Sequence, residues 1–386
     1  TAGTTFGRIF LGSADLALAR GSSVHDNRLV GIQAGGNVTA AGNAVFGQPD
    51  PGSIGILAGA INSSGIPGNA SGSEILRNFV FDNETGIAGG TGLVRENRVN
   101  GSKRFGITSD GGRVERNVVS GGETGIRGGR TISGNIVTGT LLSGIASFST
   151  TDIVGNTVRA LTGNAVELIQ GFTTNPVPMT LRNNILVAAA GYAISTDRTA
   201  ESLFSSDFNL FHVFGNGRIG NFAGSDRATL QAWQNASFGD RQSLAADPLF
   251  VGGDDFHLQS QFGSFRGELA PVRSGVTGLP VFPAVTQAVD ALQSPGIDRG
   301  APSDPFAEEP GPNGGFANLG AYGNHPQASK SPAQYVLVTT PNGGEGIAQG
   351  SVFPIRWRAS GFAGNVRIEY SSDGGGSWTP ISSSEA

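Results

Sequence analysis

The chain has 386 residues, 62 of them glycine, with 14% charged residues and a net charge of −5. No Lys/Arg run is longer than Lys103-Arg104, which argues against nucleic-acid binding through a basic stripe. The absence of cysteine excludes disulfides, thiolate metal sites and a thiol nucleophile. No apolar run reaches membrane-span length and no signal peptide is visible, so a chain starting at Thr1 is expected to be a processed or excised piece of a longer precursor.

Residues 1 to 73 read as ragged first coils of a repeat. Val24-His25-Asp26-Asn27-Arg28-Leu29-Val30 matches the repeat phrase, Val38 to Val45 follows, and the Gly-, Ser- and Pro-rich stretch from Gln48 to Ser73 suggests a coil with a surface excursion. From Glu74 to Thr196 the phrase is regular: a hydrophobic pair, Asn, a hydrophobic pair, a Gly-rich turn and Gly-Ile. The Asn column is Asn78, Asn97, Asn117, Asn135 and Asn156, at steps of 19, 20, 18 and 21 residues, with a degenerate copy at Asn184. Gly86-Ile87, Gly106-Ile107, Gly125-Ile126 and Gly144-Ile145 keep step with it.

A helical repeat needs about 33 residues for two helices, whereas about 20 residues rich in Val, Ile, Gly and Asn suit one coil of short strands. The repeat is therefore a β-solenoid, with inward Val, Ile and Leu stacking at about 4.8 Å per coil. An Asn at one corner of every coil has the donors and acceptor for a ladder, with Gly beside it supplying positive φ. The pattern resembles the right-handed parallel β-helix family, which includes pectate-lyase-like enzymes, epimerases, tailspikes and non-enzymatic surface proteins. The resemblance implies the handedness.

After Asn156 the period lengthens, because Gly171 to Pro178 is inserted. Then come a strand at Ser206 to Phe211, a short helix near 226–240, and the phrases Asp247-Pro248-Leu249-Phe250, Asp255-Phe256-His257-Leu258, Ser294 to Gly300 and Asn318 to Asn324. Their order resembles the closing part of large secreted bacterial β-helix proteins, which implies an extracellular or cell-surface location. Beyond a linker-like Ser-Pro-Ala segment, Tyr335 to Tyr370 alternates with period two, resembling the first strands of an immunoglobulin- or fibronectin-like module. A full sandwich needs about 90 to 100 residues, so the module is incomplete. The expected organisation is all-β: a right-handed parallel β-helix over 1–330, with a helical insertion and capping coils, then a partial β-sandwich over 331–386.

Chemistry-bearing residues are sparse. Aligning the coils on Gly-Ile puts Ala88, Thr108, Arg127, Ala146, Glu167 and Ser195 in one outward column, where Arg127 and Glu167 are candidates for carbohydrate binding. Lys103 and Arg104 with Asp110 form the single local combination of base, cation and carboxylate in the regular coils, and so the catalytic candidate. Arg77, Arg95, Glu96, Glu115 and Arg116 flank the Asn corner as a solvated face of cross-strand ion pairs. Asp247, Asp298 and Asp304 read as turn residues that satisfy their own backbone. Ser371 to Trp378 fits an Asp-box turn with Trp packed beneath it, and Trp233 and Trp357 also read as packing residues. Loop carboxylates are suited to Ca²⁺, but neither EF-hand nor calcium β-roll spacing is present, and no motif indicates a metal or other cofactor.

Three functions fit these features. The foremost is a non-catalytic rod in an exported surface protein, serving as structure or adhesin, with other domains or copies as partners. The second is a polysaccharide lyase or epimerase acting on an acidic polysaccharide, which must hold a carboxylate and remove the neighbouring proton. The third is a carbohydrate-binding module.

Overall fold

The computed structural model describes residues 9–11, 18–36, 38–48, 50–59, 73–148, 151–170, 177–341, 346–361 and 363–385. The chain is all-β and forms a parallel β-helix. Three sheets of 11, 9 and 10 strands each take every third strand in turn for most of their length. The first sheet carries the Gly-Ile strands, such as Phe105–Ser109 and Thr124–Gly128; the second carries strands just before the ladder Asn, such as Arg113–Glu115; the third carries those just after, such as Val118–Ser120. Residues 60–72 and 171–176, where an excursion and an insertion are expected, lie outside the described residues.

One inward residue per strand builds the core. Ile87, Ile107, Ile126 and Ile145 stack in the first sheet, Val94, Val114, Ile132 and Ile153 in the second, and Val99, Val119, Val137 and Val158 in the third. All are 0–1% exposed, and burying each stabilises the fold by roughly 2 kcal/mol. The glycine before each Ile is required by this packing rather than by a turn. A Cβ on Gly86, Gly106, Gly125 or Gly144 would lie 2.3–2.4 Å from a methyl of Val99, Val119, Val137 or Val158. The glycine lets the valine of the third sheet reach the back of the first.

At the corner between the second and third sheets, the asparagines join the coils. The backbone N–H and Nδ2 of Asn97 both donate to Asn117 Oδ1, at 2.9 and 3.0 Å, and its Nδ2 also reaches back to Ile75 O at 2.8 Å. The same two bonds to the next Asn, at 2.9–3.0 Å, run through Asn43, Asn78, Asn117, Asn135, Asn156 and Asn184 to Asn209. The residue before each Asn is left-handed, and it is Gly only at Gly42, Gly134 and Gly155. Arg77, Glu96, Arg116, Asn183 and Phe208 adopt φ of 52–59° there, held by the bonds that follow them.

The first coils correct the expected register. Val24 pairs with Val45 in the third sheet, so the ladder member of that coil is Ser22, whose N–H donates to Asn43 Oδ1 at 3.0 Å. Asn27 sits one corner later, where its N–H donates to Gln48 Oε1 at 2.7 Å.

The ladder ends on a buried carboxylate. Asn209 donates its N–H to Ser243 Oγ at 2.8 Å and its Nδ2 to Asp240 Oδ1 at 3.0 Å, while Trp233 Nε1 donates to Asp240 Oδ2 at 2.7 Å. Trp233 lies on the helix Leu230–Ser237, is fully buried, and meets Phe204 and Phe222 edge-on at 5.8 Å. Burial pushes the Asp240 carboxyl up from its ordinary range, against the pull of these donors. The helix plugs the open end of the solenoid.

From Leu244 the chain doubles back over the outer face of the third sheet. Phe256, Leu269 and Tyr322 cover Val118 and Ile136, and Leu258, Ile297 and Leu319 cover Ile185, Val187 and Leu210. Arg98 donates to Pro271 O at 2.9 Å and pairs with Glu268. Tyr335–Thr340 then pairs with Arg356–Ser360, and Val366–Tyr370 with Thr379–Glu385, as two two-stranded sheets. In the Asp-box turn Asp373 accepts Ser377 N–H at 2.9 Å and Ser371 Oγ–H at 2.7 Å, but Trp378 is 60% exposed rather than packed beneath it. No helix among the described residues is long and apolar enough to cross a membrane.

Asn117→Ala leaves the buried Asn97 N–H without its acceptor and removes the Nδ2 bond to the Val94 carbonyl at 2.9 Å, which keeps its sheet partner. One buried donor left unpaired and one bond lost predict a loss of about 2 kcal/mol in chemical denaturation. Asn100→Ala, which removes one half-buried bond from Ser120 Oγ at 3.0 Å, is expected to cost under ~1 kcal/mol.

Candidate functional site

One groove lies between the third sheet and its cover, and the first sheet and the second-sheet corner carry others. On the first sheet, parallel register places Ala88, Thr108, Arg127, Ala146, Glu167 and Ser195 in one column. Arg127 and Glu167 are two coils apart, about 10 Å, with Ala146 between them. They do not meet. Glu167 accepts a hydrogen bond from Ser143 Oγ, while the Arg127 guanidinium lies 5.4 Å from the ring centroid of Phe105 and 4.7 Å from that of Phe148. Arg127 is exposed and has no carboxylate within 4.0 Å among the described residues.

Arg104 approaches the same Phe105 ring at 4.8 Å and stands 4.0 Å from Glu123, a loose exposed pair. Arg104, Phe105, Asp110 and Arg127 line one groove together with Leu57 and Ala88. Lys103 is exposed and does not line it. The geometry thus separates Lys103 from Arg104 and Asp110, and joins these two to Arg127. Two guanidinium groups around one aromatic ring, with a carboxylate nearby, offer planar donors for an anion and an apolar face for a ring. The coil turns create this grouping: residues 103–104 precede the strand Phe105–Ser109 and Asp110 follows it, so one strand brings both ends into the groove.

A second cleft of about 400 Å³ lies at the Asn corner. Its floor is bare because Gly134 and Gly155 hold the left-handed position that Arg77, Glu96 and Arg116 fill in earlier coils. The closing segment forms its roof. Asp304 accepts Arg182 Nε at 2.8 Å and Asn183 Nδ2 at 2.7 Å, and Glu308 accepts Arg116 Nη2 at 2.7 Å. Arg77 pairs with Glu96 at 2.6 Å and Arg95 with Glu115 at 2.7 Å, as expected for cross-strand neighbours. Arg116 instead reaches across to the roof. The cations here are already neutralised by the protein's own carboxylates, so the cleft is a clamp between closing segment and rod.

Asp304 therefore anchors a distant strand instead of its own turn, and Asp298 likewise accepts Gly314 N–H at 3.0 Å; Asp247 does satisfy its own turn, accepting Leu249 N–H at 2.8 Å. His257 is fully buried, bonded to Asp255 at 2.6 Å and stacked on Tyr322 at 3.6 Å. Among the described residues no group of three or more His, Cys, Asp or Glu is placed to hold a metal ion.

Asp304 is 12% exposed and Arg182 36% exposed, so Asp304→Ala leaves two donors without their shared acceptor at a largely buried site. A loss of about 2–3 kcal/mol is expected in chemical denaturation, against under ~1 kcal/mol for Glu308→Ala, whose pair with Arg116 is half exposed. Comparison with known protein families, curated proteins and solved structures gives no match.

Proposed function

We propose that the chain is a non-catalytic structural or adhesive module of an exported bacterial surface protein: a stiff rod ending near residue 330, followed by strands of a partial sandwich. The observation that supports this most is the continuous hydrogen-bonded column from Asn43 to Ser243, closed at Asp240 and clamped from outside by the returning segment. Such a column resists bending and shear, because each coil is tied to both neighbours by side chain as well as backbone. The seat of the following strands fits the same purpose. Arg358 donates to the carbonyls of Asp298 and Gly300 at 2.8 and 3.0 Å and stacks 3.7 Å from Phe316, so tension on the strands passes into the rod.

A second reading is supported by the first-sheet groove. Arg104 and Arg127 around Phe105, beside Asp110, suit an acidic polysaccharide, either bound without chemistry or processed by a lyase or epimerase. Absorbance at 235 nm reports the unsaturated product of a lyase, and NMR of the treated polymer reports epimerisation. Over alginate, pectate and glycosaminoglycans, with and without Ca²⁺, the rod reading expects neither signal to change. A change that disappears in Arg104→Ala or Arg127→Ala would replace it with the enzymatic one. Retention on immobilised polymer, lost in the same variants without product formation, would establish the binding module.

A further inference from the structure

The closing segment contains a knot of polar groups that the rod does not need. Glu309 is 6% exposed. Its Oε1 accepts the backbone N–H groups of Asn318 and Asn324 at 2.7 and 2.8 Å, so one oxygen gathers two turns. Its Oε2 is buried with no hydrogen-bond partner among the described residues. Asn318 continues the knot: its Oδ1 accepts Asp298 N–H at 2.9 Å, and its Nδ2 donates to Ser329 O at 2.7 Å. Asp298 accepts Gly314 N–H at 3.0 Å, and Gly314 O accepts the hydroxyl of Tyr335, the first residue of the strands beyond the rod, at 2.9 Å. A chain of bonds thus runs from Glu309 to the joint.

We propose that Glu309 is a proton-controlled latch: neutral in the closed knot, it holds the turns at Asn318 and Asn324, and losing its proton favours opening of the knot and of the Tyr335 seat. A bare buried oxygen tolerates a proton and penalises a negative charge, which has no cation or donor to meet it there.

The charged groups around it agree. Asp298, itself pushed up by burial, adds like-charge repulsion. Arg116 is engaged with Glu308 on the cleft side, and Arg358 and Arg299 bind carbonyls of Asp298, Gly300 and Val338. His325 follows Asn324 and is pushed down to about 4 by burial, with Arg116 and His257 adding to the shift, so it stays neutral near neutral pH. Burial, with Asp298 adding to it, pushes the Glu309 carboxyl up to about 8 from 4.5. The closed knot therefore keeps its proton up to about pH 8, whereas the open knot releases it above about 4.5. Stability of the closed form is greatest below the lower value and is lost progressively as pH rises through the window to the upper one.

Release of one proton on opening makes the opening constant rise about tenfold per pH unit inside that window. Hydrogen exchange followed by mass spectrometry tests this on the intact chain at pH 5.5, 6.5 and 7.5, with intrinsic rates divided out. Protection of the peptide spanning residues 313–331 is expected to fall about tenfold per unit relative to the ladder peptide 97–135. Glu309→Gln should abolish that slope, and Glu308→Gln, which breaks only the pair with Arg116, should keep it. A flat profile in the wild type, or the same slope in Glu309→Gln, overturns the latch. Because the first comparison is internal to the wild type, a flat profile overturns the latch even if Glu309→Gln does not fold.

Discussion

From Asn78 to Asn209 each Asn of the ladder accepts two donors from the Asn of the coil before it, and each gives its backbone N–H to the coil after it. The second-to-third corner is a sharp bend, so its backbone N–H cannot be met by a sheet partner, and it is buried, so it cannot be met by water. Only an acceptor one coil away satisfies it, and that acceptor must have donors of its own to satisfy. The requirement repeats indefinitely until a residue accepts without having to donate. Asp240 is that residue, and its cost is desolvation of a carboxylate that Trp233, Asn209 and Ser243 offset with hydrogen bonds. The last coil, the plugging helix and the direction in which the chain leaves the solenoid all follow from placing a carboxylate there.

The departure from Asp240 fixes which surfaces remain. The chain emerges at the third sheet and returns along it, so outward apolar residues such as Val118, Ile136 and Leu210 become interior ones. A solenoid with apolar residues on both faces of one sheet would aggregate if left bare. The return path also reaches round to the Asn corner, where a Cβ on Gly134 or Gly155 would just touch the carbonyls of Ala321 and Gly320, at 3.8 and 3.5 Å, and the long side chains that earlier coils carry there are absent. The first sheet is left with the exposed Arg127, which has no carboxylate within 4.0 Å among the described residues, and the second reading of function rests on that face.

The repeat was legible because its constraint is local in coil space: one Asn, one Gly-Ile and one inward pair recur at each turn. Two of its details were not. The recurrence of Gly before Ile does not show its cause: Gly106 is excluded from carrying a Cβ by Val119, thirteen positions later, and composition cannot distinguish steric need from backbone need. Val24 to Asn27 has the same letters as the ladder phrase, yet it lies one strand out of register, because hydrophobic pairs flank both corners and the second corner also takes an amide residue. The closing segment was legible only as a sequence of phrases. Its partners, Arg182 for Asp304 and Arg116 for Glu308, are separated by 122 and 192 positions, and no periodicity links them.

The same distance explains why Glu309 escapes a reading by residue type. In the stretch Ala307-Glu308-Glu309-Pro310 the two carboxylates look equivalent, a short acidic patch on a Pro- and Gly-rich loop. The fold assigns them opposite environments: Glu308 reaches a guanidinium at the surface, and Glu309 turns inward to backbone N–H groups. The turn from Phe306 to Glu309, closed by Glu309 N–H donating to Phe306 O at 3.0 Å, sends the two side chains apart, so one neighbour forms an ion pair while the other meets backbone N–H groups inside. Rigidity in the rod and adjustability at its joint can therefore coexist. The asparagines of the ladder carry no titratable group, whereas the joint is held through a carboxyl whose charge its surroundings oppose.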